Sequence, residues 1–243
     1  MAPRTVTTLH GRQDLPDLQE LYAAFPDVQL ISISDAQRSP VPNANFVGTV
    51  HHGLPSNFCN RPSPPPEDTL RFSVRISPEK RVDRAIAVAR AAGLPLKIAA
   101  KVDRVDRDYY SAKIEPLLHE PGIEYIGDIY ERAKERFLGD ALALIFPIDG
   151  PEPFGLVTIE AMACGTPVLA FDKGAMREII DEGVTGVVQS VVEATTMLTR
   201  VIALDRARVR HQFQERFTAR RMAIDYVQIY QQLLDCTGVQ TAA

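Results

Sequence analysis

The chain has 243 residues, with 27 Lys and Arg against 31 Asp and Glu, a formal net charge of -4, and 45% hydrophobic residues. That length suits one large or two small domains around a sizeable core, and the charge offers no global field for nucleic acid, which disfavours a DNA- or RNA-binding role. Residues 1–11 lack the apolar stretch of a signal peptide and no run of about eighteen apolar residues occurs, so a cytoplasmic protein is expected.

In chain order, strand-like runs at 5–9, 28–33 and 46–50 surround a helical stretch at 15–24, where Leu15, Leu18, Leu21 and Tyr22 recur at helical spacing. These make a thin partial α/β layer over residues 1–54. His51 and His52 follow its third strand. Adjacent residues there point to opposite sides and no carboxylate or cysteine cluster accompanies them, which favours a loop over a metal site. The proline-rich residues 55–68 read as a semi-rigid linker. Cys59, Cys164 and Cys236 are odd in number and lack a C-x-x-C spacing, so neither a disulfide framework nor a zinc site is indicated.

Beyond the linker, strands at 69–74, 96–100, 123–126, 141–147 and 168–171 alternate with helices at 80–92, 108–118 and 131–138. Residues 69–216 therefore predict a parallel sheet covered by helices, with ligands at the carboxyl ends of its strands. A short helix at 177–180, a turn at 183–186 and helix thereafter are expected. Within residues 217–243, Phe217, Met222, Tyr226, Ile229, Tyr230 and Leu233 form an apolar stripe at helical spacing.

Residues 152–171, EPFGLVTIEAMACGTPVLAF, concentrate the chemistry. Pro153 and Gly155 set a turn, a buried helix is expected to start near Phe154, and its first amides, around Phe154 to Val157, form a potential phosphate cradle. Glu152 precedes this helix and Glu160 lies within it. Two ionised carboxylates at different depths accept hydrogen bonds from hydroxyls, and a ligand with two polyol ends joined by a diphosphate would use both. The plainer reading is an acidic cap and a solvated helix glutamate, but in so apolar a helix Glu160 would be half-buried and in need of a partner. Arg75 and Lys80, with Pro78 between them, could clamp a diphosphate, although such a pair is more often a solvated helix start. Asp106-Arg107-Asp108 matches a metal-binding D-x-D, yet no second acidic cluster completes a site and Asp108 is an expected helix N-cap. No dinucleotide-binding G-x-G-x-x-G and no P-loop is present.

Two glutamates eight apart around P-F-G, followed by E-A-M-A-C-G-T-P-V, resemble the donor-site signature of the retaining GT-B glycosyltransferases of family 4. The resemblance implies a GT-B-like α/β fold with a complete C-terminal Rossmann-like donor domain and an N-terminal α/β domain that lacks its front, with residues 217–243 crossing back onto that domain. It implies transfer of a sugar from a nucleotide-diphosphate-sugar to an unidentified acceptor, needing neither metal nor cofactor. By the same resemblance Arg75 and Lys80 bind the diphosphate with help from the amides of Phe154, Gly155 and Leu156. Glu152 orients the hexose, Glu160 the ribose, His10 projects toward the donor sugar and Ile129 lies near the base. Val74 departs from the glycine common before the arginine. The alternative is a non-catalytic donor-binding chain or one subunit of a split enzyme, and either reading anticipates self-association or a partner chain that completes the first domain.

Overall fold

A computed structural model describes residues 5–59, 67–181 and 186–236, which form two parallel sheets joined by a cleft. The first part runs β1 (Val6–Thr8), α1 (Pro16–Ala24), β2 (Gln29–Ser32), α2 (Asp35–Arg38) and β3 (Phe46–Thr49), with strand order β1-β2-β3. The second begins β4 (Leu70–Phe72), α3 (Val82–Ala92) and β5 (Leu96–Ala99). A 3-10 turn at Arg104–Asp106, α4 (Arg107–Tyr109), a π segment at Tyr110–Ile114 and α5 (Glu115–Leu118) lead to β6 (Ile123–Gly127). There follow α6 (Glu131–Gly139), β7 (Leu144–Phe146), α7 (Leu156–Ala163), β8 (Val168–Phe171), α8 (Met176–Ile179) and β9 (Gly186–Val188). Helices α9 (Val191–Ile202), α10 (Arg206–Arg216) and α11 (Ala219–Cys236) close the chain.

The order of the larger sheet, β6-β5-β4-β7-β8-β9, decides where a ligand can sit. From β4 the chain winds outward through β5 and β6, then returns beside β4 and winds the other way through β7, β8 and β9. The loops leaving β4 and β7 therefore diverge and open a crevice at their carboxyl ends. Both strands are wholly buried, as expected for parallel strands covered on both faces. Val82, Ala85, Ile86, Val88 and Ala89 supply the buried face of α3, and Ser190 with Glu193 caps α9 reciprocally, the serine accepting from Glu193 N and the glutamate from Gln189 N.

The structure corrects several expectations. The helix expected at 108–118 is broken because Pro116 has no N–H for the residue four before it and crowds that carbonyl, and the turn preceding it widens to π geometry. Asp108 lies inside α4 rather than at its N-cap, a position held by Asp106. The helix expected from residue 80 starts at Val82, because Arg81 has φ of 51° in the left-handed region. Gly186–Val188 is a strand paired with β8, where a turn ending at 186 and then helix were expected; residues 182–185 lie outside the described residues, as do 60–66 of the linker.

Helix α11 returns to the first sheet. Ile229 packs with Ile31 and Val50, surrounded by Val6, Val47, Met222, Tyr226 and Leu233, and Tyr226 Oη meets Thr8 Oγ1 at 3.2 Å. Beside it Leu54 N donates to Phe217 O at 2.9 Å and Ala219 N to Leu54 O at 2.7 Å. Among the described residues no helix is long and apolar enough to cross a membrane. Gly53 lies so close to the Thr218 carbonyl that an added Cβ would overlap this backbone. Gly53→Ala should therefore strain the seam and lower stability by about 1 to 3 kcal/mol, read from urea unfolding; a midpoint equal to that of the parent would contradict so tight a seam.

Candidate functional site

A cavity of about 310 Å³ occupies the switch point between β4 and β7, lined from the larger sheet by Ser73, Val74, Arg75, Lys80, Lys134 and residues 152–157, and from the first layer by His10, Ile33 and His52. Its floor is the turn before α7. Gly155 has φ of 82°, and an added Cβ would stand 2.8 Å from Met176 Cε and 3.2 Å from the Phe146 ring, so the turn needs glycine for both conformation and space. Because Gly155 takes a left-handed rather than a helical φ, α7 starts at Leu156, two residues later than expected, and the first amides of the helix, without intrahelical acceptors, are those of Leu156 and Val157 rather than Phe154. The Phe154 side chain is buried and anchors the turn, edge-on to Phe217 at 6.2 Å and to His52 at 5.0 Å between ring centroids.

The structure pairs the expected glutamates with lysines. Lys80 Nζ makes a short ion pair with Glu152 Oε2, each side chain only 14% exposed, and lies 5.9 Å from the centre of the Phe146 ring. Glu160 is 9% exposed, and Lys134 Nζ on α6 sits 2.5 Å from its Oε2, a contact whose geometry leaves that oxygen without a hydrogen bond. An ion pair with unused acceptor capacity beside a cavity is suited to a hydroxylated ligand. Lys134 was missed from the sequence. The need for a cation near Glu160 was readable, but 131–138 offers more than one, and it is the packing of α6 on α7 that brings Lys134 there.

Arg75 stands at the mouth, its side chain 52% exposed, 3.3 Å from Glu79 Oε1 and 3.5 Å from Asp103 Oδ2. Val74 packs against both large cores and also lines the cavity. The strands' loops are tied together beneath Lys80: Asp149 N donates to Glu79 O at 2.8 Å, and the Asp149 carboxylate takes Arg81 at 2.9 Å and Arg84 at 2.7 Å. These contacts hold Arg81 in its left-handed conformation, and neither Arg81 nor Asp149 was singled out from the sequence. Ile129 follows β6 half-buried against the core and is not among the cavity-lining residues.

His10 reaches the cavity from the loop after β1, its ring stacked on that of His52 at 5.2 Å with 9° between planes. His52 itself, read from the sequence only as part of a loop, lines the cavity, while His51 turns away toward Glu178 at 3.4 Å. The two rings do not simply point to opposite sides, as the strand end implied, since both meet the Phe154 ring, His51 at 5.8 Å and His52 at 5.0 Å between centroids; these contacts, and that of His52 with His10, depend on the meeting of two layers. Burial first, then repulsion from His10 and His51, pushes His52 down to about 4, so its ring is neutral near pH 7.

The sequence profile described as Glycosyl transferases group 1 matches residues 58–219, more than half of the chain. A phosphatidyl-myo-inositol mannosyltransferase of Propionibacterium freudenreichii subsp. shermanii is 37% identical over 67 residues, covering 27% of this chain and 18% of that protein. Among solved structures, AviGT4, a glycosyltransferase involved in avilamycin A biosynthesis, superposes with a TM-score of 0.70 at 25% identity, covering 85% of this chain and 64% of AviGT4. Anabaena HepE in complex with UDP and glucose superposes with a TM-score of 0.71 at 19% identity, covering 97% of this chain and 71% of HepE. The fold is thus that of GT-B glycosyltransferase structures, and the chain spans about a fifth of the mannosyltransferase and just under two thirds of AviGT4.

The state of His52 has a measurable consequence. Unfolded, its ring takes a proton near 6.5; folded, it refuses one until about 4, so stability present above pH 6.5 is lost as pH falls through that window. His52→Phe keeps the aromatic contact and removes the titration, so urea unfolding at pH 7.5 and pH 5 should show a smaller loss for the variant than for the parent. Equal losses would show that His52 is not held neutral.

Proposed function

The chain belongs to the glycosyl transferases group 1 family, and on that premise we propose that it holds a nucleotide-diphosphate-sugar between the loops of β4 and β7 and transfers the sugar, with retention, as a family 4 enzyme does. The observation that supports this reading is a pair of ion pairs at one cleft, Lys80 with Glu152 in its wall and Lys134, also in its wall, with the buried Glu160 behind it. A diphosphate is a stronger partner for Lys80 than a carboxylate already using it, because it brings two negative groups that the amides of Leu156 and Val157 can also meet. Release from Lys80 leaves Glu152 free to accept from hexose hydroxyls. Glu160, deeper along α7, accepts from the ribose while keeping Lys134 beside it. Arg75 turns from Glu79 and Asp103 to the phosphates, and Ile129 stands on the side of the base.

Retention follows if the acceptor hydroxyl attacks the anomeric carbon on the face the diphosphate leaves. The new C–O bond forms as the bond to the diphosphate breaks, and the hydroxyl proton passes to the departing phosphate oxygen. Lys80, Arg75 and the helix amides stabilise the charge that develops there. His10, near the sugar end, positions the reacting carbon, and no protein nucleophile or metal ion is invoked. The UDP and glucose held together in the HepE complex make UDP-glucose a sensible first donor probe.

Calorimetry with UDP and UDP-glucose tests the assignment of ends. Glu160→Gln should weaken both ligands by about 1.5 to 3 kcal/mol, the scale of a charge-assisted hydrogen bond. Glu152→Gln should leave UDP binding no weaker, since it frees Lys80, and should weaken UDP-glucose relative to UDP. Equal losses for both ligands in both variants would contradict separate ends.

A further inference from the structure

The short helix α2 joins the donor turn to the His10 loop, and the polar groups around its start are engaged in both directions. Ser34, its N-cap, accepts from Gln37 N at 3.0 Å while its own hydroxyl donates to the carbonyl of Pro153 at 2.6 Å, the residue between Glu152 and Phe154. Glu178, on α8 in the larger sheet's domain, uses both carboxylate oxygens on the same helix: Oε2 accepts from Asp35 N and Oε1 from Ala36 N, each at 2.7 Å. Its Oε2 also faces His51 Nε2 at 3.4 Å. Gln37, 4% exposed, passes the connection on. Its Oε1 accepts from Ile33 N at 2.9 Å, and its Nε2 donates to the carbonyls of Leu9 at 3.0 Å and Gly11 at 2.8 Å, one on each side of His10.

We infer that α2 is a strut setting the distance between the donor turn and His10, with Glu178 and Gln37 as positioning residues for sugar transfer. The role assigned to His10 rests on the donor-site reading above. Strand β1 lies at the edge of its sheet, and the loop that follows it is otherwise held by Leu9 N on Ile31 O at 2.9 Å, by Gln13 Nε2 on Gly11 O at 3.0 Å and by the stacking of His10 on His52; among these ties, the Gln37 bonds are the ones that lead back to the donor turn. A carboxylate suits position 178 for a specific reason. Two converging N–H groups need two acceptor oxygens, and a glutamine would turn its NH2 toward one of them. Burial would raise the Glu178 carboxyl, but the bonds from His51, Asp35 and Ala36 outweigh it and hold the group below its ordinary value, so it is ionised and able to accept at neutral pH.

The test uses Glu178→Gln, on a half-buried side chain whose loss the fold should survive, and Gln37→Met, which keeps shape but deletes the bonds to Leu9 and Gly11. In the ligand-free protein, long-range proton–nitrogen spectra of the histidine rings, with the His10 signal assigned by its loss in His10→Gln, should show that signal displaced in Glu178→Gln although the change lies in the other domain. UDP affinity should stay within about twofold of the parent while kcat for UDP release from UDP-glucose falls roughly tenfold or more, a split that marks lost orientation rather than lost donor binding. The double variant should be no slower than the slower single one, since both act through one strut. An unmoved His10 signal in folded Glu178→Gln, or a moved signal with unchanged kcat, would overturn the inference. Failure of the parent to bind UDP would count against the donor-site reading instead, and the ligand-free His10 signal would still decide whether the strut exists.

Discussion

Much of this structure depends on one electrostatic constraint: Lys80 and Glu152, each nearly buried, must be neutralised where the loops of β4 and β7 diverge. Taking two such charges out of water costs several kcal/mol per ion unless they meet closely, so the loops that carry them cannot drift apart without exposing that cost. Asp149 and Arg81 brace the approach from beneath, and Ala175 N, donating to Glu152 O at 3.0 Å, braces it from behind. The left-handed Arg81 is the local strain this arrangement sustains. An ion pair held this way is also replaceable, since a ligand that offers Lys80 more negative charge and Glu152 more donors satisfies both partners better than they satisfy each other.

The fold delivers these side chains by topology more than by local preference. Parallel strands that wind outward in opposite directions leave a crevice, and the helix that starts there, α7, is buried except for Leu156. The first layer then closes the crevice from the other side with His10 and His52. Two seams hold that layer, one along Leu54 and α11, the other through α2 to Pro153 and Glu178. The first is a backbone and apolar seam that meets the donor turn through packing of the Phe217 ring on Phe154. The second touches the donor turn itself, which places its geometry within reach of the reaction.

How much was legible from residues alone follows the same division. Strands buried on both faces leave unbroken apolar runs, so the alternation from 69 to 171 could be read, and the turn around Gly155 announced itself through Pro153 and the glycine. The strand Gly186–Val188 could not, because three residues have no period of their own and pair only because β8 offers a free edge. The break near Pro116 was available in the sequence and outweighed by the apolar pattern around it. Lys134, His52 and Glu178 belong to a third class. Each acquires its place through a contact across elements far apart in the chain, and no spacing rule encodes which of several cations or histidines will make it.

The most direct measurement is a crystal structure of the chain soaked with UDP. The account predicts the diphosphate between Lys80, Arg75 and the amides of Leu156 and Val157, the ribose on Glu160, and Lys80 withdrawn from Glu152 toward phosphate oxygen. UDP bound elsewhere, or bound with the Lys80 and Glu152 pair intact and the phosphates in solvent, would contradict it.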